Sequence, residues 1–278
     1  MNTASDTRRR GPSASGNRAG DLLRQWREDR HRSQFNLALD VGVSARHLSF
    51  VETGRSQPSR GLLLALADEL DVPLRERNVL MLAAGYAPGY AQSEGAAALS
   101  GAARDALEHL LAGHEPYPAV AFDRWGDIVL TNAAIAPLLE GVDATLLEAP
   151  INLYRLSLHP DGLARHIGNR AQWAAHLGHR LTRLARITQD GRLLALLQEI
   201  REYPGVAPAI DERHQPSSAD LLLTLHVQHS SGDLRLITTV TTFGGPSDVA
   251  LSELGIESFF PADTQTKSLM HALQADNP

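Results

Sequence analysis

Arginine, glutamine and aromatic side chains within the first 60 residues have the types and the spacing that contacts with a nucleic acid require. Arg46 can donate two hydrogen bonds to O6 and N7 of a guanine, and Phe50 can contact the methyl group of a thymine. Gln34 stands at the start of a predicted helix, where it can bind phosphate together with free backbone N–H groups. Arg55 and Arg60 are further candidates for phosphate contacts. The alternatives are a solvated side chain for Arg46 and partial core packing for Phe50.

Two short helices joined by a tight turn are predicted to position these residues. Ser33 and Ser44 are placed to cap the two helices, and Gly42 suits the left-handed end of the first. Leu48 and Val51 would face the core. The opposite, DNA-binding face of the second helix is predicted to comprise Ser44, Ala45, Arg46, Ser49 and Phe50. This arrangement is typical of a helix-turn-helix, whose second helix enters the major groove of DNA.

The chain of 278 residues is long enough for two domains. Residues 1–19 are almost free of apolar side chains and are predicted to form a flexible tail. Residues 20–90 are predicted to fold into five short helices, as an all-α helix-turn-helix domain. Residues 91–102 are rich in Gly, Ala and Ser, which indicates a linker, and residues 103–278 form the second domain.

The second domain is predicted to be α+β, with an antiparallel sheet that carries helices on one face. Strands are expected at residues 119–122, 128–130, 221–229 and 234–243, with an edge strand at 256–260. The turn Ser230–Asp233 makes the third and fourth of these the clearest hairpin in the chain. A mostly helical stretch is predicted between the two pairs of strands, and a closing helix near the end of the chain.

The net charge of −6 hides an asymmetry between the two domains. Residues 1–60 contain eleven arginines against six acidic residues, and residues 1–90 carry a net charge of +3. The remaining residues carry −9. A weakly basic first domain and an acidic second domain indicate that only the first domain binds a polyanion.

Several classes of protein are excluded by what the sequence does not contain. The absence of cysteine excludes disulfides, thiolate nucleophiles and cysteine-ligated metals. No P-loop, G-x-G-x-x-G motif or catalytic constellation is present, so we expect neither an enzyme nor a cofactor. His176 and His179 lie one helical turn apart, but no nearby carboxylate completes a metal site, and we expect no bound metal. No apolar run of 18 residues is present, and a cytoplasmic location is expected.

The predicted helix-turn-helix resembles that of the XRE-type, lambda-repressor-like regulators. The shared pattern is S-Q-x-x-L-A at 33–38, G-V-S at 42–44 and E-x-G-R at 52–55, followed by Pro58-Ser59 and a helix rich in Leu and Ala. The resemblance implies that Glu52 is structural and holds the turn rather than reading a base. One departure is Arg32, where the family usually has an apolar residue.

Longer segments are similar to the MmyB-like subfamily of these regulators: 46–55, 72–78, 82–88 and 152–156. The resemblance implies a DNA-binding transcription regulator, expected to be a repressor and a homodimer, with a PAS-like C-terminal domain. That domain is expected to hold a small apolar ligand, for which a fatty acid or a similar metabolite is a candidate. No membrane partner is expected.

Candidate ligand-binding residues can be chosen from the apolar helices of the second domain. The apolar candidates are Leu153, Leu156, Trp173, Leu177 and Leu181, and the candidates for a carboxylate head group are Arg155 and Arg180. The alternative is that the apolar side chains are ordinary core and the two arginines are solvated. The alternative function is a DNA-binding regulator whose second domain is a protein-interaction or dimerisation module without a small-molecule ligand.

Overall fold

The computed structural model describes residues 18–91, 101–212, 223–243 and 248–275. The chain divides into two compact units, Met1–Gln92 and Ser93–Pro278. Helix α1 begins at Arg18, so the last two residues of the predicted tail, Arg18 and Ala19, are helical, and Ala19 is buried. The other tail residues and the linker residues 92–100 lie outside the described part. None of the described helices combines the length and the apolar character needed to cross a membrane.

Five α-helices make up the described part of the first unit, as predicted. They are α1 (Arg18–Asp29), α2 (Gln34–Val41), α3 (Ala45–Glu52), α4 (Arg60–Glu69) and α5 (Leu74–Ala83). Hydroxyls of Ser33, Ser44 and Ser59 accept hydrogen bonds from backbone N–H groups in the first turns of α2, α3 and α4. Gly42 ends α2 in the left-handed conformation, with φ of 75°, which an L side chain would strain.

The core of the first unit is built from leucines at helical spacing, each at most 1% exposed: Leu23, Leu37, Leu48, Leu63, Leu66, Leu70 and Leu80. Burying side chains of this kind contributes about 1.5–3 kcal/mol each relative to leaving them exposed. The packing of α1 and α2 on α3 therefore fixes which face of α3 remains available to a partner.

The second unit contains a five-stranded antiparallel sheet in the order β2-β1-β5-β4-β3. The strands are β1 (Ala119–Phe122), β2 (Ile128–Thr131), β3 (Thr224–His229), β4 (Gly232–Thr242) and β5 (Gly255–Pro261). The helices are α6 (Gly101–Ala112), α7 (Leu153–Leu158), α8 (Arg170–Thr188), α9 (Gly191–Arg201), α10 (Val206–Asp211), α11 (Val249–Ser252) and α12 (Thr264–Ala275). The predicted α+β class is confirmed.

The prediction of an edge strand at 256–260 was wrong, because β5 is the central strand of the sheet. Ile256 lies opposite Ala121 of β1 on one side and Thr241 of β4 on the other. A strand buried on both faces is stabilised by hydrogen bonding at both of its edges, and the apolar side chains of β5 suit that position. The other strands lie within two or three residues of their predicted positions, and Leu221 and Leu222 of the predicted third strand are not described.

Alternating residues of β1 point into two different apolar clusters. Val120 and Phe122 belong to the main core, which α7, α8 and α9 cover. Ala119 and Ala121 belong to a smaller cluster with Leu107 and other residues of α6 and β5. The main set of helices thus covers one face, as predicted, and α6 also covers part of the other.

Candidate functional site: recognition helix and apolar cavity

The cap of helix α3 fixes where the predicted recognition helix begins. The Ser44 hydroxyl accepts a hydrogen bond from the backbone N–H of His47 at 3.1 Å, and Ser44 itself has extended backbone geometry. Leu48 and Val51 are buried on the inner side of α3. A short capped helix with one buried side can present its other side to a groove of DNA.

The outer side of α3 carries a cluster of one aromatic ring and two guanidinium groups. Arg46 is exposed, with its guanidinium 5.3 Å from the centre of the Phe50 ring. The Arg55 guanidinium lies 5.9 Å from the same ring. Phe50 is half-buried, so it is neither a core residue nor fully available for a thymine methyl group. Contacts of this kind between a cation and a ring are worth about 0.5–1 kcal/mol at exposed sites, and they orient both arginines.

The remaining predicted DNA contacts lie around this cluster. Ala45 and Ser49 are half-buried on α3, whereas Ser44 is exposed. Arg60 is exposed at the first position of α4, beside the cap residue Ser59. The backbone N–H groups of Arg55 and Ser56 both donate to the Phe50 carbonyl, so the turn after α3 is held close to its end.

Gln34 is occupied within the protein rather than free at the surface. Its amide Nε2 donates to Glu52 Oε2 at 2.7 Å, and the same carboxylate accepts two hydrogen bonds from Arg27 of α1. Glu52 is structural, as the resemblance implied, but it joins three helices instead of holding the turn. Arg27 was missed by the sequence analysis, and its only signal was a basic residue on the inner side of α1.

Arg32, the departure from the family pattern, is held in a small ion-pair network. Its guanidinium pairs with Asp40 and, at 3.2 Å, with Glu69. Its carbonyl accepts a hydrogen bond from Arg27 Nη1 at 2.9 Å. The charged side chain therefore replaces an apolar contact by ion pairs at the surface.

In the second unit, an apolar cavity of about 40 Å³ lies between the sheet and the helices of the main core. Its lining comes from β1, β2, β3, β5, α7, α8 and the segments before and after α7, which include the 3₁₀ helices Ala133–Leu139 and Leu163–His166. Four of the predicted ligand-binding residues share this lining: Leu153, Leu156, Trp173 and Leu177. Leu181 is fully buried one turn further along α8 but is not among the lining residues.

Neither of the two predicted head-group arginines lines this cavity. Arg155 donates from Nε and Nη2 to the two carboxylate oxygens of Glu199, both at 2.7 Å. Arg180 donates from Nη1 to Glu257 Oε2 at 3.2 Å, and its guanidinium lies 4.6 Å from the centre of the Phe122 ring. Each arginine is thus paired with a carboxylate of the protein itself.

Three polar side chains do line the cavity, and only Trp173 was named from the sequence: Ser157, Trp173 and Glu257. Glu257 is 1% exposed, and burial raises the pKa of its carboxyl group, against the opposing effect of Arg180. The Trp173 indole Nε1 is buried and donates to no acceptor in the described residues. Glu257 was missed because it interrupts an apolar strand pattern that sequence reading treats as core.

The histidine pair on α8 makes other contacts. His179 Nε2 lies 2.8 Å from the Ile210 carbonyl, and His176 stacks on Trp173 with ring centres 5.5 Å apart. Burial lowers the pKa of His176, and the positive charge of Arg180 lowers it further. Within the described residues, no three His, Asp or Glu side chains are grouped so that they could hold a metal ion.

Comparison with known proteins gives solved structures that match part of the chain and two family matches. The restriction-modification controller protein C.AhdI from Aeromonas hydrophila is 33% identical, over 23% of this chain and 97% of that protein, with a TM-score of 0.22. No curated protein was found to match. Residues 18–80 match the model of a helix-turn-helix domain family.

Residues 103–273, more than half of the chain, match the model of the MmyB-like transcription regulator ligand-binding domain. This range contains the sheet, the cavity and the helices that cover them. The capped helix α3 lies in the helix-turn-helix range. The chain therefore belongs to the MmyB-like transcription regulators, with a DNA-binding helix-turn-helix domain followed by the ligand-binding domain of that family.

Proposed function

We propose that this protein is a ligand-responsive repressor, in which residues 20–90 bind an operator and residues 103–278 bind a small apolar molecule. The observation that carries the DNA-binding half is the Ser44-capped helix α3, whose outer side presents Arg46 beside Phe50 and Arg55. Arg46 reads a guanine, and Arg55 and Arg60, which both follow α3, contact phosphates. Ser44, Ala45 and Ser49 complete the contact face.

Gln34 contacts phosphate only if its amide leaves Glu52 or uses its second N–H. The amide has two donor hydrogens, and the bond to Glu52 at 2.7 Å uses one of them. The second hydrogen remains for a phosphate oxygen at the amino end of α2. The bond to Glu52 would then orient Gln34 for that contact.

The apolar cavity supports the ligand-binding half of the proposal. The hydrocarbon part of the ligand is bound by Leu153, Leu156, Trp173 and Leu177. Leu181 is buried in the same core cluster outside the lining. A fatty acid or a similar metabolite is the candidate that the resemblance implied. The apolar lining suits its chain, whereas its head group depends on the few polar side chains of the cavity.

Coupling between the two activities would follow from a shift between two populations of the protein. A ligand that binds one conformation of the second domain more tightly shifts the population toward it and so changes operator affinity. Operator DNA then changes ligand affinity by the same factor, since the linkage is reciprocal. A homodimer would place two copies of α3 about one DNA turn apart on a near-palindromic site. Such a regulator acts in the cytoplasm, and no catalytic step is required of it.

A second candidate function is favoured by the small volume of the cavity. A space of about 40 Å³ exceeds the about 10–15 Å³ that one water molecule needs, but it is far smaller than the about 150 Å³ of an apolar cavity that binds benzene. A second domain that binds no small molecule would instead recruit or dimerise through its surface. Native mass spectrometry of the purified full chain separates the two: a co-purified apolar mass supports the ligand, and the absence of one supports the interaction module.

The proposed function is tested by selecting binding sites for the full chain from random duplex DNA. Arg46→Ala should lower affinity for the selected site by about 1–3 kcal/mol and relax one base position. Arg55→Ala should weaken binding to selected and random DNA alike. Arg24→Ala is the matched control, because this exposed arginine pairs with Glu28 on α1. Failure to select any sequence, or equal losses for Arg46→Ala on selected and random DNA, contradicts the proposal.

A further inference from the structure

The polar groups of the cavity define what kind of head group it can bind. Glu257 Oε2 accepts from Arg180, whereas Oε1 accepts no hydrogen bond from any described residue. Trp173 Nε1 is a buried donor without an acceptor in the described residues. The Ser157 hydroxyl, which can donate and accept, is the third polar group of the lining. All other lining side chains are hydrocarbon.

A carboxylate is a poor partner for this set of groups. The one charged side chain of the described lining is itself an acid, Glu257, and its counter-ion Arg180 lies outside the lining. The Arg180 guanidinium is also packed against the rings of Phe122 and Tyr154, at 4.6 and 5.8 Å. A bound carboxylate would therefore be buried beside a second carboxyl group without a cation of its own, which is costly.

An ammonium group is also disfavoured, because Arg180 already neutralises Glu257. A further cation would be buried next to that guanidinium, and the desolvation of each buried ion costs several kcal/mol. A hydroxyl group avoids both penalties. Its O–H can donate to an oxygen that has no donor, and its oxygen can accept from a neighbouring donor of the lining.

We propose that the cavity binds an uncharged apolar molecule bearing a hydroxyl group, which donates its hydrogen bond to Glu257 Oε1. The proposal rests on the ligand-binding role of the second domain and replaces the fatty-acid anion by an alcohol. Because the cavity has a volume of only about 40 Å³, the hydrocarbon part must displace lining side chains. A short chain displaces fewer side chains and is therefore the better probe.

Three probes of equal chain length separate the possible head groups: 1-hexanol, hexanoate and hexylammonium. Each is titrated into the ¹⁵N-labelled full chain near neutral pH, and the indole N–H resonance of Trp173 is followed. The chain has three tryptophans, so Trp173→Phe assigns this resonance by removing it. Its movement reports binding at the lining itself, because Trp173 is part of it.

The expected result is a dissociation constant for 1-hexanol at least about tenfold lower than those of hexanoate and hexylammonium. Equal or tighter binding of hexanoate overturns the proposal in favour of an anionic ligand. Tighter binding of hexylammonium overturns it in favour of a cation. If no probe moves the Trp173 resonance at saturation, the cavity does not bind such molecules and the proposal also fails.

A variant of Glu257 tests whether this carboxyl group is the cause. Glu257→Gln keeps an acceptor oxygen but removes the negative charge, so hexanoate should approach 1-hexanol in affinity to within about threefold. Glu199→Gln is the matched control: it removes an acid that pairs with Arg155 outside the lining, and should leave the ratio unchanged. An unchanged ratio in Glu257→Gln contradicts the role of Glu257, and the wild-type comparison stands even if this variant does not fold.

These measurements contain no DNA, so their failure is distinct from failure of the proposed function. A protein that selects an operator but prefers hexanoate keeps its role as a regulator and loses only the hydroxyl ligand. A protein that binds 1-hexanol at Trp173 but selects no DNA sequence keeps the cavity assignment and loses the regulatory role.

Discussion

The guanidinium of Arg27 in α1 donates to both carboxylate oxygens of Glu52 in α3, at 2.7 and 3.0 Å. The two side chains are 10% and 1% exposed, so the pair is buried between the helices. The carboxylate also accepts from Gln34 of α2, which satisfies a further lone pair. One buried carboxylate thus fixes the predicted recognition helix against the two helices that precede it.

Glu52→Ala should therefore destabilise the helical domain by about 3–5 kcal/mol, because it leaves Arg27 buried without its counter-ion. Urea unfolding of the full chain, followed by circular dichroism, measures the loss. The control is Arg24→Ala, which breaks the exposed pair with Glu28 and leaves the contacts of Arg27 in place, and it should cost at most about 1 kcal/mol. Similar losses for the two variants would show that the buried pair has no special role.

Ser44→Ala should cost about 1 kcal/mol of stability, because the N–H of His47 loses its acceptor at the start of α3. It should also weaken operator binding, because fraying of the first turn moves Arg46. Ser59→Ala removes the corresponding cap of α4, whose hydroxyl accepts from the N–H of Leu62 at 3.2 Å. It should cost similar stability with a smaller loss of operator affinity, measured by fluorescence anisotropy. Equal losses of operator affinity would assign Ser44 no role beyond general stability.

The helices of the first unit could be predicted because their signals are local. Ser33, Ser44 and Gly42 act within one helical turn of their own position, and the structure has each of them as expected. The central position of β5 could not be predicted in the same way. It depends on pairing with β1 and β4, over more than a hundred residues of sequence in the case of β1, and no residue of β5 encodes that order locally.

The candidate site residues show the same difference between local and long-range signals. Leu153 and Leu177 could be chosen for the cavity because apolar periodicity marks the inner side of a helix. The partners of the charged residues could not be chosen. Arg180 was a candidate to bind a ligand carboxylate, but it donates instead to Glu257, on a strand 77 positions later. The hydrogen bond of Gln34 to Glu52 could likewise not be predicted from the sequence.

Gly178 of α8 should tolerate no side chain, because a Cβ atom there would overlap the side chain of Ile210 in α10. Gly178→Ala is therefore expected to destabilise the second domain by about 1–3 kcal/mol through overpacking. Gly191→Ala is the matched control in α9, since nothing lies within 4 Å of its added Cβ atom. That variant should be neutral or stabilising by about 0.4–1 kcal/mol. Calorimetric unfolding of both full-length variants compares them, and a neutral Gly178→Ala would contradict the close helix contact.

Glu257 should make the stability of the second domain depend on pH. Burial raises the pKa of its carboxyl group above the ordinary value of 4.5, so the folded state binds a proton more tightly than the unfolded state. Stability is therefore lost as the pH rises above the ordinary pKa, and the loss is complete once the raised pKa has been passed. Glu257→Gln removes this titration. The free energy of unfolding of the wild type, minus that of the variant, should fall in urea titrations as the pH rises above the ordinary pKa of 4.5.

The control for this pH dependence is Glu199→Gln, which removes a carboxyl group whose pKa is lowered by its hydrogen bonds from Arg155. A carboxyl group with a lowered pKa affects stability in the opposite direction. Its contribution to folding stability is present above the ordinary pKa of 4.5 and is lost as the pH falls through the lowered pKa. The wild type minus Glu199→Gln should thus be flat between about pH 5 and about pH 8. A flat difference for Glu257→Gln as well would mean that the buried carboxyl keeps an ordinary affinity for protons, with Arg180 offsetting its burial completely.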